Sequence, residues 1–175
     1  HKIRMQYDVN VIGVLMVTKA LLPHFRANKA GIIINISSMG GKTTFPMGTL
    51  YHGSKFAVEG MSEALSYELA GIGVKVKIIE PGMINTNFAT TSFDLNIDES
   101  MTEYKPFLDK ALAAMDGAAT QASEPIIVAE TIYQAATDGS DQLRYIAGED
   151  AKQIIGARKQ MDDPEYLAMI KGQFG

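Results

Sequence analysis

The chain has 175 residues, 46% hydrophobic and 21% charged, with 16 basic against 20 acidic side chains for a formal charge of −4. A chain this long buries roughly 70% of its unfolded surface and builds a sizeable core, which excludes disorder, collagen and small disulfide scaffolds. The mildly acidic balance, with no basic run interleaved with aromatics, argues against nucleic acid or an anionic membrane as partner. Zero cysteines remove disulfides, thiolate nucleophiles and thiolate zinc sites, and fit a reducing compartment, so a cytoplasmic address is expected. His1, His24 and His52 are too scattered for a metal site, and no HExxH spacing occurs.

His1-Lys2-Ile3-Arg4 before the apolar run Val9 to Val17 imitates a signal peptide, but Asp8 and Asn10 interrupt it and Lys19 closes it. The run is also shorter than the roughly 20 residues that span a bilayer. Residues 5–27 are instead expected as one helix, kinked near Pro23 and apolar nearly all round, with Val9, Ile12, Met16 and Ala20 on one face and Val11, Leu15 and Leu22 on others. Gly31 opens Ile32-Ile33-Ile34-Asn35-Ile36, the composition of a parallel strand buried on both faces. Beyond a loop with Gly40, Gly41, Pro46 and Gly48, a helix over 50–70 carries Val58, Met61, Leu65 and Leu69 on one stripe, and Gly71 and Gly73 stop it. Val74 to Glu80 is the next strand, ended by Pro81-Gly82, with Lys75 and Lys77 assigned to its solvated bottom. Residues 83–122 show weak helical pieces and no strand. Ser123 is expected to cap a helix to about 138 with Pro125 in its first turn; Leu143 to Ala147 is a third strand, and 150–172 adds terminal helices, the second announced by Asp163-Pro164.

Strands alternating with helices predict right-handed crossovers and a parallel sheet with helices on both faces. Three strands are few for a doubly wound dinucleotide sheet, and the G-x-G-x-x-G phosphate turn is absent; Gly71-Ile72-Gly73 precedes a strand rather than following one. G-x-S-x-G and S-x-x-K are absent too, which leaves little for a hydrolase.

Tyr51 and Lys55 stand at i, i+4 and project from one helix face. An ammonium about 4 Å from a phenol favours the phenolate by roughly 4 kcal/mol at an effective dielectric of 20, enough to bring a tyrosine from about 10 towards 7. Such a phenol handles protons at neutral pH. Alone the pair is uninformative, since seven tyrosines offer many chances of meeting a lysine at that spacing. Its context is not: Ser38 lies thirteen positions earlier, at the carboxyl end of a buried strand where open α/β sheets bind ligands. A second strand ends at Pro81-Gly82-Met83-Ile84-Asn85-Thr86, and Asn10 sits in a helix where a buried amide is costly without a partner.

Asn10, Ser38, Tyr51-His52-Gly53-Ser54-Lys55 and Pro81-Gly82-Met83-Ile84-Asn85-Thr86, in that order, resemble the active-site half of a short-chain dehydrogenase/reductase. The wording Asp8-Val9-Asn10-Val11, Ser54-Lys55-Phe56-Ala57-Val58-Glu59-Gly60 and Ile79-Glu80-Pro81-Gly82 is similar to the 17β-hydroxysteroid-dehydrogenase-like branch. The resemblance implies an α/β fold, the carboxy-terminal half of a doubly wound parallel-sheet (Rossmann) domain, with NAD or NADP as cofactor and a small-molecule alcohol or ketone as substrate. By the same resemblance Tyr51 exchanges the proton at the substrate oxygen and Ser38 hydrogen-bonds that oxygen. Lys55 lowers the Tyr51 pKa and holds the ribose, and Asn10 anchors a relay water. Pro81 and Gly82 pass beneath the nicotinamide, Ile84 offers backbone groups to its carboxamide, Thr86 reaches carboxamide or diphosphate, and Met83 borders the substrate. Residues 83–122 would be a substrate lid and 148–175 a helical extension. A homodimer or homotetramer is expected, through helices 5–27 and 50–70. His52 and Gly53 depart from the small residues usual after the tyrosine, and His52 reads as packed or solvated rather than as a second base. The family's glycine turn should precede residue 1, so the 175 residues alone are expected to be poorly soluble and inactive. The competing reading is a non-catalytic dinucleotide-sensing member of the same fold. The lid's Phe88, Phe93, Leu95, Ile97, Met101, Tyr104, Phe107, Leu108 and Met115 either pack the lid itself or line an apolar pocket.

Overall fold

The computed structural model describes residues 1–98 and 100–174; Glu99 of the expected lid and Gly175 of the tail lie outside them. Three strands, β1 (Gly31–Ile36), β2 (Val74–Pro81) and β3 (Arg144–Ala147), form a parallel sheet in the order β1-β2-β3. The register runs from Gly31 opposite Val74 to Ile36 opposite Ile79, and from Ile78 opposite Arg144 to Pro81 opposite Ala147. Side chains alternate across the sheet. Ile33, Val74 and Val76 pack with Leu69 against Leu22, Phe25 and Leu65, which belong to α2 (Val14–Asn28) and α3 (Thr49–Ala70). Ile79, Tyr145 and Ala147 meet Ile127, Val128, Ile132 and Ala135 of α5 (Ile126–Thr137) on the other face.

The amino-terminal helix differs from its expectation in its winding and in how much of it is covered. α1 (Lys2–Tyr7) and α2 are joined without a break by a wide π-helical segment, Asp8–Gly13, and the helix runs through Pro23 to Asn28. By length and composition Lys2–Asn28 could cross a membrane, whereas here Leu22 and Phe25 pack on the sheet and Gln6 and Asn10 bond α3. Only one side of this helix is covered: Val9, Met16 and Val17 are about 60% exposed. β1, likewise, was expected to be buried on both faces, but Ile33 is 8% exposed while Ile32 and Ile36 are 41% and 44%. Among the described residues β1 is the sheet's edge, and its flank lines an open groove of about 530 Å³ with Val14, Val17, Leu21 and Phe25.

Lys77 is not at a solvated end. It is 1% exposed, bonded to Asp138 at 2.6 Å and to the Tyr145 hydroxyl at 2.9 Å. Its carboxylate partner lies just past α5, so the charge is paired rather than hydrated. Lys75 does reach the surface, where it pairs with Asp141. Ser123 does not cap α5, which has Pro125 at its cap position. Ser123 N–H donates to the Met83 carbonyl at 2.9 Å, and Asn85 N–H to the Ser123 carbonyl at 2.8 Å. Those two bonds pinch together the ends of the excursion between them, which holds π-helical Phe88–Ser92, a 3₁₀ turn at Thr102–Tyr104 and α4 (Lys105–Ala119). The chain closes with α6 (Glu149–Gln160) and α7 (Asp163–Phe174).

Candidate active site

The carboxyl ends of β1 and β2 face the first turns of α3 and α6. Ser38 leaves β1 in extended conformation, 8% exposed, and its Oγ accepts the Gly40 N–H at 3.0 Å, closing the short turn Met39–Gly41. Tyr51 lies in the first turn of α3 with its ring against the Gly40 backbone, where a Cβ would stand 3.0 Å from it, and the Ser38 side chain is near enough to the phenol to pull its pKa down. With a lone pair of Oγ taken by Gly40, the Ser38 proton is free to be donated to the phenol oxygen. Lys55, one turn on, donates from Nζ to the Ile36 carbonyl at 3.1 Å, and its Nζ stands 5.9 Å from the Tyr51 ring centroid.

This geometry corrects the expected electrostatics. Burial pushes the Tyr51 phenol above its ordinary value, with the Ser38 hydrogen bond pulling the other way. Burial also pulls the Lys55 ammonium down, opposed by the Glu59 carboxylate. The lowering towards 7 assumed an ammonium about 4 Å away in a solvated site; here Lys55 is held by a backbone carbonyl, and desolvation of the phenolate wins.

Asn10 sits inside the π segment, half-buried, and its amide donates to Ser54 Oγ at 3.2 Å. Gln6 donates to the same oxygen at 3.3 Å, while Ser54 itself donates to the Tyr51 carbonyl at 2.8 Å. The one donor and both lone pairs of fully buried Ser54 are thus engaged. Asn10 is brought to the backbone between Tyr51 and Lys55 rather than to the phenol. A Cβ on Gly53 would lie 2.4 Å from the Tyr7 hydroxyl, the tip of a side chain that would shift to admit it.

At the end of β2, Gly82 N–H pairs with the Ala147 carbonyl at 2.9 Å and Met83 N–H donates to Asp150 Oδ2 at 2.7 Å. A Cβ on Gly82 would fall 2.1 Å from Asp150 Oδ1, so only glycine lets this carboxylate close over the strand end. The bridge to Ser123 uses the Met83 carbonyl and the Asn85 N–H, which turns the N–H and C=O of Ile84 to the opposite side. Thr86 is exposed and accepts the Phe88 N–H at 3.3 Å. The Phe88 ring stands 6.1 Å from that of Tyr51 and 6.3 Å from that of Phe93, which brings the segment after β2 to the phenol.

Behind these residues lies an ionic cluster that runs from buried Glu59 and Glu80 to the surface at Glu63. Arg144 Nε is 2.9 Å from Glu59 Oε2 and 3.4 Å from Glu80 Oε1, and its terminal nitrogen meets Glu63. Glu59 and Glu80 are 4% and 1% exposed. Burial, then repulsion from Glu59, pushes the Glu80 carboxyl up to about 7 against the pull of Arg144, Lys42 and Lys159. Asp150, this cluster and the contacts of His52 had no sequence signal beyond an acidic residue in a first helical turn after β3 and an Ile-Glu-Pro-Gly strand end.

A family model described as short chain dehydrogenase matches residues 1–96. An uncharacterised oxidoreductase of Schizosaccharomyces pombe is 44% identical over 169 residues, covering 97% of this chain and 70% of the relative. The chain belongs to the short-chain dehydrogenase family. The structure of a short-chain dehydrogenase from Streptomyces avermitilis superposes with a TM-score of 0.76 at 28% identity, over 99% of this chain and 62% of that one. ElxO, solved with NADP bound, superposes at 0.55 with 25% identity, over 78% of this chain and 53% of that one. The chain thus spans less than two thirds of the length of either solved relative.

Proposed function

We propose that this short-chain dehydrogenase interconverts a secondary alcohol and its ketone with NAD or NADP, using Ser38, Tyr51 and Lys55. One observation carries the reading: at the carboxyl end of β1 the buried Ser38 hydroxyl, fixed by Gly40 N–H, stands beside the Tyr51 ring that packs on Gly40, with the Lys55 ammonium 5.9 Å from that ring. The residues present fit the nicotinamide end of a dinucleotide, because Ile84 turns its free N–H and C=O away from Ser123 and Lys55 presents its cation beside the strand end. NADP bound to ElxO supports the cofactor class. When bound, the nicotinamide supplies or takes the hydride.

The chain's own residues handle position and protons. Tyr51, kept protonated by burial, gives its proton to the carbonyl oxygen in reduction and recovers it in oxidation. With substrate bound, the single Ser38 proton turns from the phenol to the substrate oxygen and orients it, Lys55 holds the ribose hydroxyls, and Asn10 keeps the first turns of α3 in place through Ser54. Phe88 and Phe93, next to the Tyr51 ring, suit an apolar substrate that Met83 would border, and residues 83–122 act as its lid. The test is oxidation of reduced cofactor by the full-length protein against a panel of aliphatic and aromatic ketones. Tyr51→Phe should lower turnover by at least about 100-fold while leaving cofactor binding intact. Near-normal turnover in that variant refutes the reading, and cofactor binding with no turnover of any ketone by the parent protein would favour the dinucleotide-sensing alternative.

A further inference from the structure

His52 follows Tyr51 directly and is 6% exposed. Its Nε2 accepts the Phe45 N–H at 3.0 Å, and its Nδ1 lies 2.8 Å from the Gly40 carbonyl. A ring nitrogen that accepts a backbone N–H must carry a lone pair, so the ring is neutral with its proton on Nδ1, which donates to Gly40. The ring is also tightly enclosed: a Cβ on Gly48 would come within 2.7 Å of it and one on Gly40 within 3.0 Å. Phe45 and Tyr51 flank it, with centroids at 5.8 and 5.7 Å.

Gly40 is held from two sides. Its carbonyl accepts a hydrogen bond from His52 Nδ1 and its N–H donates to Ser38 Oγ, leaving the single Ser38 proton for a neighbouring acceptor. Starting at the backbone of α3, the connections run from His52 to Gly40 and from Gly40 to Ser38, and the Tyr51 ring, next to His52 in the chain, packs against that same Gly40, where a Cβ would stand 3.0 Å from it.

We propose that His52 is a positioning residue which, by holding Gly40, fixes the Ser38 hydroxyl as a donor to Tyr51, and by holding Phe45 fixes the loop before α3. The proposal rests on the reading of Tyr51 as the acid/base. It is tested without substrate, so that its failure is separable from failure of that reading, which turnover by Tyr51→Phe decides.

The full-length protein is prepared with 3-fluorotyrosine, and the Tyr51 fluorine resonance, assigned by its loss in Tyr51→Phe, gives the titration midpoint of that phenol. Because the Ser38 hydrogen bond lowers the midpoint, His52→Ala should raise it by about half a pH unit or more. His52→Asn, which returns a side-chain N–H near the place of Nδ1, should bring it back towards the parent value; His52→Gln, which returns a group near the place of Nε2, should hold Phe45 and leave the midpoint raised. Ser38→Ala should raise it and make it insensitive to His52→Ala, a non-additive cycle. A merely structural histidine would lower the unfolding midpoint in urea without moving the phenol. An unchanged Tyr51 midpoint in folded His52→Ala, or a shift that persists undiminished when Ser38→Ala is added, overturns the proposal. Should His52→Ala fail to fold, equal midpoints in the Asn and Gln variants overturn it equally.

Discussion

The buried carboxyl of Glu80 sets a pH dependence of stability that can be worked through. Its folded-state value, about 7, lies above the 4.5 of an unperturbed glutamate, and its side chain is 2% exposed beside Glu59 and Arg144. A raised value means that the folded state binds the proton more tightly than the unfolded chain. The contribution to stability is therefore complete below about pH 4.5 and is lost as pH rises through about 7. At about 1.4 kcal/mol per unit, the loss across that window is on the order of 3 kcal/mol. Glu80→Gln holds the site permanently neutral, and its amide has the unpartnered Glu59 Oε1 within the cluster as an acceptor. Urea unfolding followed by circular dichroism at about pH 5 and pH 8 should give similar stabilities for parent and variant at the lower pH, and a variant more stable by on the order of 3 kcal/mol at the higher. Comparing the two proteins removes the opposite contribution of Asp138, whose carboxyl is held well below its usual value by Lys77 and Tyr145. A variant less stable than the parent at pH 8, or two parallel pH profiles, would refute the reasoning.

Asp150→Ala should free Met83 N–H, worth about 1–3 kcal/mol as a hydrogen bond to a carboxylate, and weaken NADPH binding by about tenfold in a fluorescence titration; a dissociation constant unchanged within about twofold would separate Asp150 from the cofactor strand. The apolar faces left open on the π segment, α2 and α3, with Val9 65%, Val17 62% and Phe56 45% exposed, support a proposed two-fold homodimer, the unit from which a homotetramer would also be built. The full-length protein should sediment as a dimer or tetramer at micromolar concentration, and Val17→Glu with Phe56→Glu should shift it to monomer; a monomeric parent would contradict the proposal.

The strands were legible because β-branched runs closed by Gly, Pro-Gly or helix caps leave little choice of period, and all three fall within a residue or so of their expected bounds. The meeting of Ser38 with Tyr51 was legible for a related reason, since strand, turn and helix are contiguous. What escaped the sequence depends on distant partners or on subtle winding. The burial of Lys77 needs Asp138 and Tyr145, 61 and 68 positions away, and the grip of Asp150 on Met83 spans 67. The π segment at Asp8–Gly13 uses residues that suit an α-helix equally well, so periodicity cannot separate the two. The Tyr51 phenol was misjudged because its protonation depends on burial and on where Lys55 is tethered, and neither is written in a Y-x-x-x-K spacing. Ser123 looked like a cap because serine before a helix usually is one, yet its backbone is engaged by Met83 and Asn85.

The central claim is that Ser38 and Tyr51 form one proton-handling unit, and the most direct measurement is turnover of Ser38→Ala, Tyr51→Phe and the double variant in the full-length protein under saturating cofactor. Groups that act as a unit are strongly non-additive, so the double variant should be no slower, within about threefold, than the slower single variant. Losses that multiply, or a Tyr51→Phe variant that turns over at the parent rate, would contradict the account.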